Sequence, residues 1–353
     1  MKKNRKSNYE LLRIIAMLMI IGTHGLSSTN LAELLPETAL NRILVPAVDA
    51  VSKYGVNLYA LITGYFMVQR RSVSVKKVIK LLLDVAMYGI ILYGVSIMLG
   101  LQAFSISGCV KALVPMLAGY RWFVTAYCVL YLLCPLINAA LQSLSKKNYL
   151  TFLLLYTFFF SFWPSFLPHP PLNDWGYSFH HLIYIYMIGG YLRLHGCSCS
   201  TKKALLLFAL ATAGTMLLMG TDAISLPIIN TAQATAAANN SLLLVCASTC
   251  LFIAFGKLNI QSGVINKLAS CAFAVFLIHG DYNTMDYMFN NLLHLGDIAS
   301  KALWLPLYLA SLILIYLVCA LADICKQKLL DKPINKLLDM IPFFNHQITS
   351  QEE

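Results

Sequence analysis

The sequence predicts an all-α polytopic membrane protein with about ten transmembrane helices and both termini in the cytoplasm. Three observations predict this fold: a mean hydropathy of +0.69, a charged fraction of only 12%, and long uncharged runs separated by short basic clusters. Soluble domains carry about 25% charged residues. A chain of 353 residues with so few charges therefore fits a lipid environment better than an aqueous one.

Ten apolar segments have about the length that a helix needs to cross a bilayer. They lie at 9–27, 48–68, 78–100, 121–141, 149–164, 177–194, 203–219, 240–256, 267–288 and 302–324. The first segment has the basic flank and apolar core of a signal peptide. Because Arg13 interrupts that core and no small-residue cleavage site follows, we expect it to remain as the first membrane helix. The segment 220–240 fits either a loop or a polar re-entrant segment.

The basic residues predict the orientation, because Lys and Arg accumulate in cytoplasmic loops. When ten spans alternate, only five of the 26 basic residues lie on the outer side: Arg42, Lys53, Lys111, Arg121 and Lys301. An odd number of spans would break this asymmetry. Both termini are therefore predicted to be cytoplasmic, with a transmembrane domain over 1–325 and a short cytoplasmic tail over 326–353.

The net charge of +11 does not indicate a nucleic-acid partner, because the basic residues lie in short clusters between apolar stretches and not on a water-exposed face. The ten cysteines mostly lie within apolar runs and lack the spacing of a disulfide framework. Cys197 and Cys199 lack the second Cys or His pair that a four-ligand zinc site needs, so we expect no metal site. These observations disfavour a nucleic-acid-binding protein and a zinc-dependent module.

Two ionisable residues within the first predicted span are the strongest functional candidates. A charged group at mid-membrane costs about 2.5 to 3.5 kcal/mol on insertion scales, so its presence needs a reason. Arg13 and His24 are separated by about three helical turns, which places them on one face about 16 Å apart. An arginine near the cytoplasmic surface can hold phosphate, and a neutral histidine deeper in can act as a general base. The alternative is that Arg13 extends to the lipid headgroups and His24 lies at the outer interface.

Four segments, in order along the chain, are similar to the motifs of a known family. They are YELLRIIAMLMIIGTH (9–24), VNLYALITGYFM (56–67), RWFVTAYCVLYLLCPLIN (121–138) and INKLASCAFAVFLIHG (265–280). The first contains Arg and His separated by ten residues, the second has Thr63 where the family has Ser, and the last has Phe276 where the family has Tyr. With these motifs the chain resembles acyltransferase family 3, polytopic bacterial enzymes that O-acylate surface polysaccharides and related envelope molecules.

The resemblance implies a multi-pass O-acyltransferase of the bacterial plasma membrane. Such an enzyme moves an acyl group, with acetyl expected, from cytoplasmic acyl-CoA to a hydroxyl of a cell-envelope polysaccharide or its lipid-linked precursor. It implies no tightly bound cofactor, and its partners are acyl-CoA, the glycan acceptor and the lipid bilayer. By the same resemblance Arg13 helps to hold the donor and His24 is catalytic, either as a general base or as the group that bears the acyl.

Other candidate residues match the family less closely. Many relatives have an Arg-x-x-Arg pair in the second cytoplasmic cluster, whereas Arg70 and Arg71 are adjacent here. They are candidates for binding the donor phosphates, although an ordinary positive-inside loop also explains them. His279 matches the late-helix histidine and is a candidate for the acceptor side, while a purely structural hydrogen-bonding role stays open. Asp84, four residues after Lys80, is expected to form a local ion pair with it.

Two other functional classes compete with the enzyme. A membrane carrier or flippase for an amino acid, a sugar or a lipid-linked glycan would use the same polar groups without covalent chemistry, and a fold alone does not establish function. Carriers often contain internal repeats with broken helices, and the two halves of the sequence show no convincing repeat. A glycan polymerase would want a large basic outer loop, which this sequence lacks. Of these two classes, the carrier is the main alternative to the enzyme.

Overall fold

The computed structural model describes residues 6–119, 121–170, 172–220 and 227–350. Within these ranges the regular structure is almost all helical, and the strands are two segments of three residues each. The predicted helical class is confirmed. The N-terminal basic residues Lys2, Lys3 and Arg5, which contribute to the predicted orientation, lie outside the described residues, as does residue range 221–226 of the uncertain segment 220–240.

The helices and strands of the described residues are as follows. The first group comprises α1 (Ser7–Thr29), α2 (Leu31–Leu34), α3 (Asn41–Ser52), α4 (Tyr54–Met67), β1 (Ser72–Ser74), α5 (Val75–Met98), α6 (Ile106–Leu113), α7 (Trp122–Ser143), α8 (Lys146–Thr157) and α9 (Trp163–Phe166). The second group comprises α10 (Phe179–His195), α11 (Thr201–Gly220), α12 (Pro227–Thr235), α13 (Leu242–Gly256), α14 (Gly263–Ser270), α15 (Ala272–His279), α16 (Met285–Tyr287), α17 (Trp304–Asp339) and β2 (Gln347–Thr349). Turns of π-helix lie at Phe158–Phe162 and Met288–Leu292, and 3-10 turns at Leu295–Ser300 and Pro342–Asn345.

Six helices of the described ranges are long and apolar enough to cross a membrane. They are α1, α5, α7, the continuous run Lys146–Phe166, α11 and α17. The other four predicted spans also contain helices, but α4, α10 and α13 have only 14, 17 and 15 residues, and α15 has eight. The chain is thus a multi-pass helical membrane protein, while the number of ten crossings and the sidedness of the termini stay predictions.

The described part of the segment 220–240 is α12 and a buried turn. Asn239 and Asn240 in this turn are almost fully buried. Asn57 donates its Nδ2 hydrogen bond to the carbonyl of Asn239 at 2.9 Å, and Asn240 donates to the carbonyl of Phe160 at 3.3 Å. Irregular backbone at membrane depth requires such protein partners, because lipid supplies none.

The chain divides into two compact units. Unit 1 contains the residues up to Ile20, Glu37–Arg71 and Leu133–Asn266, and unit 2 contains Ile21–Pro36, Ser72–Leu132 and the residues from Lys267 onward. Helix α1 is therefore divided between the units: its residues up to Ile20 belong to unit 1, and those from Ile21 onward belong to unit 2.

In unit 1, α4 packs directly against α10. A Cβ atom at Gly64 would lie 2.1 Å from the carbonyl oxygen of Tyr186, so only glycine allows this approach. The hydroxyl of Tyr186 donates to Oδ1 of Asn138 at 2.6 Å, which connects α10 to α7. Small residues and interhelical hydrogen bonds of this kind hold helices together where lipid removes the hydrophobic drive for association.

In unit 2, the apolar core joins α5, α7 and α15. Its buried members are Val78, Val85, Tyr88, Val124, Cys128, Ala274 and Leu277. Helix α17 runs antiparallel to α5, and Tyr88 donates to Oδ1 of Asp323 at 2.8 Å.

The predicted local ion pair of Lys80 with Asp84 is wrong. Lys80 instead pairs with Asp331 at 3.1 Å, and Asp84 pairs with Lys326 at 2.5 Å. The reason is that α17 continues beyond its apolar part and places charged residues of the tail opposite those of α5. Partners on a neighbouring helix replace the partner on the same helix.

Candidate active site

Helix α1 carries the two residues on which the sequence argument rests. It is rich in Leu, Ile and Met, contains no proline, and has Glu10 in its first turn, where a carboxylate stabilises the helix dipole. The helix is unbroken from Ser7–Thr29, which confirms the helical geometry assumed for Arg13 and His24. Arg13 belongs to unit 1 and His24 to unit 2.

In unit 2, His24 lies against His279. Nδ1 of His24 is 3.1 Å from Nε2 of His279, and the ring centroids are 5.1 Å apart. His279 is fully buried at the end of α15, and His24 is partly buried. The sequence showed no partner for His279, and the structure gives it His24.

The other ring nitrogen of His279 contacts the backbone of its own helix. Its Nδ1 lies 2.6 Å from the carbonyl oxygen of Val275, one turn earlier. A carbonyl oxygen can only accept a hydrogen bond. Nδ1 of His279 is therefore the donor and carries a proton.

Gly280 makes room for the ring of His24. A Cβ atom at this position would lie 3.2 Å from Cε1 of His24 and 3.1 Å from the carbonyl oxygen of Phe276. Both distances are shorter than an ordinary van der Waals contact, so any larger residue would push the imidazole or the backbone aside. The residue next to His279 therefore helps to define where His24 lies.

A buried ion pair holds the end of α15. Arg121 donates through Nη2 to Asp281 at 3.1 Å and to the carbonyl of Leu277 at 3.0 Å, and through Nη1 to the carbonyl of Gly280 at 3.0 Å. The two side chains are only 5% and 6% exposed. Because the last carbonyls of a helix lack partners within the helix, the guanidinium satisfies them while Asp281 balances its charge.

Sequence reasoning did not select Arg121 as a site residue. The available signal was that Arg121 is one of only five basic residues on the predicted outer side and begins a predicted span. For Asp281 the signal was its position two residues after His279.

The second part of α1 is anchored on both sides of His24. Tyr308 donates its hydroxyl to the carbonyl oxygen of Gly22 at 2.5 Å, and Asn290 donates to that of Ser28 at 3.0 Å. These contacts restrain the backbone that carries the imidazole.

In unit 1, Arg13 is one half of an ion pair. Its Nη1 lies 2.6 Å from Oε2 of Glu10, with the side chains 29% and 12% exposed. The hydroxyl of Tyr59 donates to the backbone carbonyl of Arg13 at 3.0 Å and so joins α1 to α4. The sequence prediction that Arg13 holds the donor did not include this carboxylate partner.

Arg70 and Arg71 lie exposed on the turn after α4. Asn138 donates to the carbonyls of Met67 and Arg70, each at 2.8 Å, and Gln142 donates to that of Val68 at 2.7 Å. The unpaired carbonyls at the end of α4 are thus satisfied by side chains of α7. This fixes the backbone of the turn that presents the arginines.

A third arginine, missed by the sequence analysis as a site residue, lies at the same end of α4. The guanidinium carbon of Arg193 is 5.2 Å from the ring centroid of Tyr65, and its Nε donates to Gln69 at 3.1 Å. Tyr65 also packs against Tyr9 near the start of α1, with ring centroids 5.1 Å apart. We call Arg70, Arg71 and Arg193 the basic rim. The signal for Arg193 was its position at the end of a predicted span, on the cytoplasmic side.

The described residues contain no group of three or more His, Cys, Asp or Glu side chains placed to hold a metal ion. The candidate residues form two separate groups: in unit 2, the His24–His279 pair with its Arg121–Asp281 anchor, and in unit 1, Arg13 with the basic rim.

A family model described as an acyltransferase domain, that of acyltransferase family 3, matches residues 6–324 of the 353-residue chain. The chain belongs to acyltransferase family 3. The match covers nearly the whole protein and contains every candidate site residue, so the family resemblance of the four motifs is confirmed. No curated protein and no solved structure matches the chain significantly. As a multi-pass member of acyltransferase family 3, the protein is a membrane acyltransferase at the level that the family defines.

Proposed function

We propose that this acyltransferase-3 protein transfers an acyl group, acetyl in the first instance, from cytoplasmic acyl-CoA to a hydroxyl of a cell-envelope polysaccharide or of its lipid-linked precursor. It acts as an O-acyltransferase of the bacterial plasma membrane, with ten crossings and both termini in the cytoplasm. Acyl-CoA is a substrate, and the protein holds no tightly bound cofactor.

The observation that carries the proposal is the contact between His24 and His279 inside the family-matched region. Acyl transfer to a hydroxyl needs a base that removes the hydroxyl proton, and a partly buried imidazole oriented by a second group suits that task.

The proposed reaction balances without any co-reactant. His24 accepts the proton of the acceptor hydroxyl while the hydroxyl oxygen attacks the carbonyl carbon of the thioester. A C–O bond forms and the C–S bond breaks. His24 then returns the proton to the departing sulfur, so that the products are the ester and the free thiol of CoA, and His24 is neutral again.

The donor end of the proposal rests on unit 1. CoA carries several phosphate groups, and arginines bind phosphate through charge-assisted hydrogen bonds. Arg13 and the exposed Arg70 and Arg71 are the proposed phosphate ligands, and Arg193 of the basic rim is an added candidate. The assignment of His279 to the acceptor side stays a prediction.

The direct test compares O-acetylation of the envelope glycan in cells that carry wild type, His24→Ala or Arg13→Ala at equal membrane abundance. General-base catalysis contributes about 10²- to 10⁴-fold, so we expect His24→Ala to lower the acetyl content of the glycan by about 100-fold or more. His180→Ala is the matched control, because His180 is an exposed helical histidine outside the candidate site. Undiminished acetylation in both site variants would contradict the proposal.

The same strains separate the enzyme from a carrier or flippase. The enzyme predicts a product that contains the labelled acetyl carbon in an ester bond. Accumulation of a labelled amino acid, sugar or lipid-linked glycan that is independent of acyl-CoA, with no ester formed, would instead support the carrier.

A further inference from the structure

We propose that His279 is a positioning residue that keeps the proton of His24 on Nδ1 and thereby makes Nε2 of His24 the atom that reacts. This inference rests on the proposed function, in which His24 accepts the proton of the acceptor hydroxyl. It gives His279 a role different from the acceptor-side contact that the sequence indicates.

The contacts of His279 define its protonation state. Its Nδ1 donates to the carbonyl of Val275 at 2.6 Å, and its Nε2 contacts His24 at 3.1 Å. The ring is fully buried, and neither of these hydrogen bonds is to a carboxylate. Because a buried charge without a paired counter-ion is unfavourable, the ring is neutral, and its single proton is the one on Nδ1. Nε2 of His279 is then a hydrogen-bond acceptor.

The tautomer of His24 follows from the protonation of His279. An acceptor 3.1 Å away selects the tautomer of His24 that has its hydrogen on Nδ1. A neutral imidazole has one N–H, so the lone pair of His24 is on Nε2. The base therefore acts through Nε2, and the imidazolium that forms keeps its Nδ1–H hydrogen bond to Nε2 of His279.

A buried ion pair lies beside the two histidines. The charged groups beside His279 are Arg121 and Asp281, and the guanidinium contacts Asp281 and the carbonyls of Leu277 and Gly280. These contacts lie on both sides of His279 in the chain. The ion pair thus holds the backbone that carries His279 and leaves Nε2 of that ring to His24.

The arrangement is comparable with the way in which a carboxylate orients the histidine of a Ser-His-Asp triad. In that triad, loss of the correct tautomer lowers kcat by about 10⁴-fold even though the geometry is kept. Here a neutral imidazole supplies the acceptor without a negative charge. A smaller effect than in the triad is expected, because His279 does not neutralise the imidazolium that forms.

The test uses two substitutions that differ in where they place an acceptor. His279→Gln can bring its amide oxygen to the position of Nε2, whereas His279→Asn reaches only the position of Nδ1. We expect His279→Asn to lower kcat by about 100-fold with the KM for acetyl-CoA changed by less than about threefold, and His279→Gln to recover to within about tenfold of wild type. Purified protein in lipid nanodiscs, acetyl-CoA and the isolated envelope glycan fraction supply the assay.

His181→Asn is the matched control for loss of a buried histidine. His181 is 2% exposed and its Nε2 contacts Oδ1 of Asn57 at 2.7 Å, in unit 1. We expect this variant to lower the temperature of unfolding without changing kcat per folded molecule. Nitrogen NMR of ¹⁵N-histidine-labelled protein supplies the tautomer directly, with His24 protonated on Nδ1 in wild type and in a tautomer mixture in His279→Asn.

The outcomes separate the two proposals. An inactive His24→Ala together with wild-type kcat in His279→Asn would overturn the positioning role and leave the proposed function intact. Equal losses of kcat in the Asn and Gln variants, with the His24 tautomer unchanged, would also overturn it, because a purely structural role predicts that pattern. Full activity of His24→Ala would overturn the proposed function and this inference together.

Discussion

Arg13 illustrates how one residue's partner changes the interpretation of its charge. The sequence presents it as an uncompensated cation in a membrane helix, whereas the structure pairs it with Glu10 one turn earlier. A carboxylate at 2.6 Å holds the guanidinium in place and must give up part of that contact when a phosphate binds. The pair therefore restrains the Arg13 side chain and balances its charge.

This pair predicts how two variants differ. Arg13→Ala removes the proposed phosphate ligand and also leaves Glu10 without its partner. Hydrogen bonds to charged groups contribute about 1.5 to 3 kcal/mol, so the KM for acetyl-CoA is expected to rise by about 10- to 100-fold. The double variant Arg13→Ala/Glu10→Gln is expected to show the same rise. The measurement is the dependence of rate on acetyl-CoA concentration with purified protein.

The control for this prediction is Arg42→Ala, which removes an exposed arginine paired with an exposed Glu37. It is expected to leave the KM unchanged. A wild-type KM in the double variant would mean that the effect of Arg13→Ala came from the unpaired carboxylate, and a donor-binding role for Arg13 would be wrong.

The residues of the candidate site were only partly predictable from the sequence. Arg13 and His24 were found because ionisable groups in an apolar helix are rare and their spacing defines one face. Their partners were not found for two different reasons. Glu10 lies three residues before Arg13, but the orientation argument uses only Lys and Arg and so does not select it. His279 is 255 residues from His24, and no sequence periodicity relates residues that far apart.

At the scale of elements, the predicted tail continues the last long helix. The predicted boundary at 325 falls inside α17, which continues to Asp339 through Pro333, a residue that normally favours a helix end. Beyond it β2 pairs antiparallel with β1, with Thr349 opposite Ser72. The part of the tail that the structure describes is therefore packed onto unit 2. Composition alone could not show this, because the contacts that order the tail are ion pairs with α5.

The ion pairs differ in burial, and this predicts unequal effects on stability. Lys326 is 9% exposed and contacts both Asp84 and Asp331, whereas Lys76 pairs with Asp339, which is 60% exposed. Asp84→Asn weakens a mostly buried contact and is expected to lower the free energy of unfolding by about 1 to 3 kcal/mol. Lys76→Gln is the matched control and is expected to change it by less than about 1 kcal/mol.

Thermal unfolding in detergent, followed by tryptophan fluorescence, measures this difference. The kcat of the folded Asp84→Asn protein is expected to equal that of wild type, because the pair lies outside the proposed chemistry. Equal stability of the two variants would contradict the view that burial of the Lys326 cluster holds the tail.

Each predicted span falls in a helical region, but the bounds of the helices differ from those of the spans. The span 48–68 contains the end of α3 and all of α4, which meet at Lys53, and the span 149–164 contains a π-helical turn at Phe158–Phe162. Hydropathy measures composition over a window, so it finds apolar regions. It does not contain the hydrogen-bond geometry that interrupts a helix or produces a π turn.

At the scale of the whole molecule, the predicted orientation requires most of the basic residues to share one side of the membrane. Antiparallel packing of α5 and α17 brings the start of α5 and the tail to one end of unit 2, as a shared cytoplasmic side requires. In unit 1, the contact of Tyr9 with Tyr65 brings the start of α1 to the end of α4, where the basic rim begins. Within each unit these contacts are compatible with the orientation that the sequence predicts, which stays a prediction. Arg13 with the basic rim is the part of the positive charge that the proposed function uses.

In the proposed reaction the protein transfers an acyl group from cytoplasmic acyl-CoA to an envelope glycan, with His24 as the reacting residue. The most direct measurement uses proteoliposomes in which the side that exposes the tail is established by protease digestion. Acetyl-CoA with a labelled acetyl group is supplied on the tail side only, and the isolated envelope glycan fraction on the other. The account predicts hydroxylamine-labile label on the glycan with wild type and His180→Ala, and none with His24→Ala. Equal labelling by His24→Ala, or labelling only when the donor is opposite the tail, would contradict it.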